Sequence, residues 1–165
     1  MSVVTVLKQA DIFYELTTTQ LELIASVCEE RYYQTGDLIF AENSAGDELY
    51  IIANGEIDIQ LDPNLISSEK NTEGLHTVAT LRRGQSFGEI ALVDEGRRSA
   101  SARASLHDTH LVVIPRAKLM LLCEANPQLG FRLMRNLAAD LAMKIRNADL
   151  RVREQLIWTH EQKTE

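Results

Sequence analysis

Cysteine, proline and tryptophan are scarce in this chain: two, three and one in 165 residues. Two isolated cysteines, Cys28 and Cys123, make neither a disulfide framework nor a zinc site. Each falls in an apolar helical pattern, so free thiols in a reducing, cytoplasmic setting are expected. Long apolar runs are lacking as well, and none approaches the roughly 20 residues that a bilayer needs. The N-terminal MSVVTVLKQAD has no basic start followed by a long apolar stretch, so no signal peptide is expected. Basic charge is in short supply: 17 Lys and Arg face 24 Asp and Glu, a net charge of -7. That balance argues against nucleic acid as a partner, because sequence-independent binding is driven by phosphate neutralisation. It leaves room for a small basic pocket that takes one phosphate. With 45% hydrophobic and 25% charged residues, the chain has the composition of a soluble globular domain. Its length predicts one domain, with a long terminal element attached.

The first 30 residues read as helical. Thr17-Thr18-Thr19-Gln20 has the spacing of a capping box, in which Thr and Gln satisfy each other's free amides. Leu21, Ile24 and Val27 or Cys28 then follow at helical spacing.

From Tyr32 the pattern changes. Gly36-Asp37 marks a turn before Leu38-Ile39-Phe40, and Glu42 to Asp47 is turn chemistry again. Leu49-Tyr50-Ile51-Ile52 is a compact apolar strand. Asn54-Gly55 predicts a hairpin, after which Ile57, Ile59 and Leu61 alternate with polar residues as in a half-buried strand. Residues 62–75 read as a long surface loop. Strand character returns at Thr77 to Leu81, in the alternating Ala100, Ala102 and Ala104, and at Leu111 to Ile114. Several short strands separated by turns predict a mainly β, α+β fold: an antiparallel jelly-roll-like barrel flanked by helices.

Pro115 opens a helix through Leu119, Leu122 and Cys123, and Asn126-Pro127 is a restart signal. From Met134 to Leu156 apolar residues recur every three or four positions, without Pro or Gly. Such a helix is longer than a small barrel can cover. An uncovered amphipathic helix needs a partner, which predicts a homodimer.

The densest chemistry lies between Phe87 and Ala100. Gly88 permits close backbone approach, and Glu89 to Leu92 can form one helical turn whose free amides suit an anion. Arg98 or Arg97 offers a bidentate fork for phosphate oxygens. Ser99 supplies a hydroxyl and an amide. Glu89 would repel an anion, yet it fits if it accepts a hydrogen bond from a sugar hydroxyl. Together these groups suggest a ribose phosphate. His107 and His110 read as exposed turn residues; without a third ligand they make no metal site of the cupin type.

The stretch FGEIAL followed by Arg98-Ser99-Ala100 resembles the phosphate-binding cassette of cyclic nucleotide-binding domains, as in protein kinase A regulatory subunits, cyclic-nucleotide-gated channels and catabolite activator proteins. Gly36-Asp37-Leu38-Ile39-Phe40, Gly46-Asp47-Glu48-Leu49-Tyr50-Ile51-Ile52 and Gly55-Glu56-Ile57 are similar to the family's first hairpins. The resemblance covers almost the whole chain. It implies a regulatory sensor that binds cAMP or cGMP, with no catalysis and no catalytic cofactor. Gly88, Glu89 and Ile90 would place backbone groups at the ligand, with Glu89 on the ribose 2′-hydroxyl. Ala91 would give an amide to the cyclic phosphate, Arg98 would pair with it, and Ser99 and Ala100 would adjoin it.

Asn43 stands where the family usually has glycine, but asparagine tolerates the left-handed conformation. Lys144, Ile145 and Arg146 occupy the positions from which the bacterial activators reach the base. The expected organisation is a core over 1–125, a lid and dimerisation helix over 126–158 and a tail over 159–165. No effector domain is evident, so output is expected through the helix surface, a homodimer or a separate effector protein. The competing expectation is a nucleotide-blind interaction module that dimerises through the same helix.

Overall fold

The computed structural model describes residues 1–65, 74–94 and 96–162. Helix α1 (Val3–Gln9), a 3-10 turn (Asp11–Phe13) and α2 (Thr18–Ala25) form the N-terminal layer. The capping box is present, with the Thr17 hydroxyl accepting from the Gln20 amide and the Gln20 side chain accepting from the Thr17 amide. Eight strands follow: β1 (Glu29–Tyr33), β2 (Leu38–Phe40), β3 (Glu48–Asn54), β4 (Glu56–Leu61), β5 (His76–Arg82), β6 (Ser86–Phe87), β7 (Ser101–Ala104) and β8 (Thr109–Pro115). Between β6 and β7 sits α3 (Glu89–Asp94); α4 (Arg116–Ala125) and α5 (Pro127–Gln162) complete the chain. Among the described residues no helix is long and apolar enough to cross a membrane.

The strands form two antiparallel sheets, β1-β8-β3-β6 and β2-β7-β4-β5. The jelly-roll-like architecture stands, but the sheets do not close into a barrel. Strands β3 and β8 are apolar on both faces because both are covered. Leu49, Ile51, Val112 and Ile114 pack towards the helices, while Tyr50, Ile52, Leu111 and Val113 pack between the sheets. In β4 only the face carrying Ile57 and Ile59 is covered, hence its alternation with Asp58 and Gln60. Helix α5 lays Leu129, Leu133, Leu137 and Leu141 on the helical side of the core.

Several sequence expectations need correction. Asn54-Gly55 joins no hairpin, since β3 and β4 belong to different sheets. Gly55, at φ +90°, turns a corner against Thr109, whose hydroxyl would lie 2.3 Å from an added Cβ. Helical character stops at Ala25, and Glu29–Tyr33 forms β1, whose charged residues hid it. Strand β6, two residues long, also lacks a pattern to read. His110 lies in β8, stacked on Tyr32 at 4.4 Å, and not in a turn. In the expected loop, Pro63–Leu65 forms a 3-10 turn and residues 66–73 lie outside the described residues. Asn43 does adopt a positive φ, 64°. Cys28 and Cys123 are free and half-buried; burial pushes the Cys28 thiol up to about 12, with Glu30 adding to it.

Candidate functional site

The chain leaves β6 at Phe87, turns at Gly88 with φ +82° and enters α3 at Glu89. Only a residue without Cβ fits that turn. An added Cβ at Gly88 would lie 2.6 Å from Arg98 Nη1 and 2.9 Å from the Glu48 carbonyl oxygen. Gly46 serves the same end from the other side: its Cβ would fall 2.1 Å from Arg98 Nε. Two glycines thus make the slot in which the Arg98 side chain lies.

Arg98 is 4% exposed. Its Nη1 donates to the Gly88 carbonyl at 3.1 Å and its Nη2 to the Glu48 carbonyl at 3.0 Å. The guanidinium carbon stands 4.2 Å from the centre of the Phe40 ring and 5.5 Å from that of Tyr50. Among the described residues no carboxylate forms an ion pair with it. Carbonyl dipoles and ring faces hold the cation in place, and the Glu48 carboxylate acts on it only through space, without contact. The ring platform is itself fixed. Tyr50 stacks on Phe87 at 4.9 Å and donates its hydroxyl to Glu48 at 2.6 Å. Burial raises the Tyr50 phenol, and that hydrogen bond raises it further. Glu48 also accepts both Nη groups of Arg31; burial alone would raise its carboxyl, but Arg31 and Tyr50 hold it below the usual range. Arg97, by contrast, is exposed and donates to the Asn43 carbonyl at 2.7 Å.

Glu89 is 5% exposed. Its partner is not Arg98 but Lys144 of α5, whose ammonium lies 2.8 Å from Glu89 Oε1. Lys144 also donates to the Ser86 carbonyl at 3.1 Å and pairs with Asp140 at 2.9 Å. Burial alone would lower this ammonium; Glu89 and Asp140 outweigh it and raise it, so it stays charged.

These groups surround a cavity of about 360 Å³. Gly88, Glu89 and Ile90 line it from the cassette, Arg97, Arg98, Ser99 and Ala100 from the approach to β7, and Phe40, Ile59 and Leu81 from the sheet. Helix α5 contributes Lys144, Asn147, Ala148 and Arg151. A mostly apolar cleft with a few convergent charged groups is the usual form of a small-molecule site.

The cavity therefore brings together Gly88, Glu89, Ile90, Arg98, Ser99, Ala100 and Lys144. Ala91 belongs to α3, but its side chain lies outside what the structure describes; Ile145 and Arg146 do not line the cavity. Three consecutive helical residues cannot share a face, and Ile145 is 62% exposed. From Lys144 the face continues at Asn147, Ala148 and Arg151, the i+3, i+4 and i+7 positions. Helical periodicity applied to Lys144 finds all three. Phe40 and Gly46 carry no such signal, because their roles depend on contacts with Arg98 from distant parts of the chain.

The family model of the cyclic nucleotide-binding domain matches residues 30–126. The cyclic AMP receptor protein of Thermus thermophilus is 35% identical over 144 residues, 87% of this chain and 61% of that protein. Human cGMP-dependent protein kinase 2 is 29% identical over 110 residues, 67% of this chain and 14% of the kinase. The chain thus spans about three fifths of the first of these relatives and a small part of the second. A solved cyclic nucleotide-binding domain from Methylobacillus flagellatus superposes with a TM-score of 0.78 at 23% identity, covering 93% of this chain and 82% of that one, which shows the same fold.

Proposed function

We propose that this chain, which belongs to the cyclic nucleotide-binding domain family, binds a cyclic purine nucleotide, cAMP or cGMP, in the cavity beneath α5. It does no chemistry on the ligand and reports occupancy through movement of α5. The observation that carries this reading is that buried Arg98, which no carboxylate touches among the described residues, lines the same cavity as the buried carboxylate of Glu89. Arg98 pairs with the cyclic phosphate, the amides of Ala91 and Ser99 assist it, and Glu89 accepts the ribose 2′-hydroxyl. Among the cavity residues of α5, Asn147 is the one whose side chain makes no hydrogen bond within the described residues, and it remains available to a base edge. Two unpaired thiols fit a reducing, cytoplasmic setting.

A thermal-shift series with cAMP, cGMP and no ligand tests the reading. A nucleotide at 100 times its dissociation constant adds about 2.7 kcal/mol of stability. No shift with either nucleotide would favour the nucleotide-blind dimerisation module.

Homodimerisation is the second part of the proposal. The 36 residues of α5 give a helix of roughly 54 Å, longer than the sheets it crosses. Towards its end Leu150, Val152, Leu156, Ile157 and Trp158 are all exposed, Leu156 at 63%. Exposed apolar side chains concentrated on one end of a helix tend to associate with another such surface. Leu156→Glu should give monomers while changing nucleotide affinity by less than about tenfold, or 1.4 kcal/mol, since Leu156 does not line the cavity. Light scattering decides it: a wild-type mass near 18.6 kDa would refute the dimer.

A further inference from the structure

Strand β1 contributes no residue to the cavity lining, yet one of its side chains bears on the cation there. Arg31 stands opposite Leu111 of β8, which stands opposite Ile52 of β3. Alternate residues share a face of a sheet, so Arg31 lies on the face that carries Glu48, Tyr50 and Ile52. From there it reaches Glu48. Its Nη2 donates to Glu48 Oε1 at 2.6 Å and its Nη1 to Oε2 at 3.0 Å. The Tyr50 hydroxyl donates to Oε2 at 2.6 Å. Both oxygens of this carboxylate are therefore held. Glu48 also meets Arg98, but through its main chain, whose carbonyl accepts from Nη2 at 3.0 Å. A flexible side chain on that same residue comes within reach of the guanidinium once nothing holds it. Arg98 Nε, buried, has no hydrogen-bond partner among the described residues. Two anions can take it: a ligand phosphate or the Glu48 carboxylate.

Resting on the phosphate role proposed for Arg98, we infer that Arg31 is a positioning residue that holds the Glu48 carboxylate off Arg98 and so keeps the buried guanidinium for an anionic ligand. The match of guanidinium and carboxylate is two-pronged, the geometry that fixes a carboxylate best. Glu29, at 2.9 Å from the same guanidinium, keeps Arg31 on this side of the sheet. The pair is partly exposed, 37% for the Arg31 side chain and 22% for that of Glu48, so it adds little to stability. Its worth lies in where it keeps the negative charge. Without Arg31 the carboxylate turns to the next cation, Arg98, and a phosphate must displace it to bind.

The test titrates cAMP, and separately cGMP, by calorimetry into the unmodified protein, Arg31→Met, Arg31→Lys, Glu48→Gln and the double variant Arg31→Met with Glu48→Gln. Arg31→Met should weaken the nucleotide that the unmodified protein binds by about tenfold or more, the worth of one hydrogen bond between charged groups that the phosphate must break. The double variant should recover most of that loss, because the released charge is gone. Arg31→Lys, which leaves a cation beside Glu48, should lose less than Arg31→Met. Glu48→Gln alone should bind more tightly than the unmodified protein, since it removes a negative charge near Arg98 and keeps the carbonyl. A merely structural role for the pair gives a different order: Glu48→Gln weakens binding as Arg31→Met does, and the double variant is no better than either. That order overturns the inference, and so does unchanged affinity in Arg31→Met. Arg31→Gln takes the place of the Met variant if that one fails to fold. If the unmodified protein binds neither nucleotide, the proposed function itself fails; if it binds one and the double variant shows no recovery, the inference alone fails.

Discussion

Arg98→Ala is expected to lower cyclic-nucleotide affinity by about 2–5 kcal/mol, the cost of deleting one partner of a desolvated charge pair. Calorimetry should then detect no binding at nucleotide concentrations that saturate the unmodified protein. The fold should survive, because Arg98 sits at the cavity wall and its two hydrogen bonds go to carbonyls of a turn and a strand end. Arg97→Ala serves as the comparison. Arg97 is exposed and holds only the Asn43 carbonyl, so its loss should change affinity little. Near-normal affinity in Arg98→Ala, with loss in Arg97→Ala, would move the phosphate contact to Arg97.

The second large effect is expected from Gly88→Ala. At φ +82° any L side chain costs roughly 1–2 kcal/mol of conformational strain. The new methyl would also stand 2.9 Å from the Glu48 backbone oxygen, which cannot swing away, and 2.6 Å from Arg98 Nη1. Stability should fall by more than the strain alone, and binding should be lost because the guanidinium is driven from its slot. Two other glycines separate these effects. Gly36 has φ +90° but nothing within 4 Å of an added Cβ, so Gly36→Ala should cost stability only. Gly46 has no positive φ, but its Cβ would meet Arg98 Nε at 2.1 Å, so Gly46→Ala should impair binding more than folding. Denaturant titration of the four proteins beside their nucleotide affinities checks this order. Equal binding by Gly46→Ala and the unmodified protein would mean that Arg98 tolerates displacement.

The legible parts of the fold were those in which one residue type does one job. The Thr17–Gln20 capping box, the alternation in β4 and the doubly covered run in β3 each follow from local chemistry. What failed was local chemistry serving a distant contact. Asn54-Gly55 has hairpin residues, yet Gly55 is needed there because Thr109 of β8 presses against it. Glu29–Tyr33 reads as polar, yet it pairs along its whole length with β8. The site divides in the same way. The cassette residues Gly88, Glu89, Arg98 and Ser99 are contiguous enough to be recognised as a phosphate-binding stretch. The carboxylate of Glu89 could be given a sugar hydroxyl as partner, but not Lys144, 55 residues away on α5. Phe40 and Gly46 entered only once the Arg98 side chain had a direction.

The central claim is that a cyclic phosphate binds beside Arg98 with the sugar at Glu89. Calorimetric titration of the unmodified protein with a cyclic purine nucleotide and, separately, with its ring-opened 5′-monophosphate tests this most directly. The expected result is saturable binding of the cyclic form at one site per chain, and binding of the open monophosphate weaker by about tenfold or more, the 1.4 kcal/mol or so lost in fixing the freely rotating phosphate that the closed ring holds in place between Arg98 and the sugar contact at Glu89. Equal binding of the two forms would contradict the proposed site, and no heat of binding with either would contradict the proposed function.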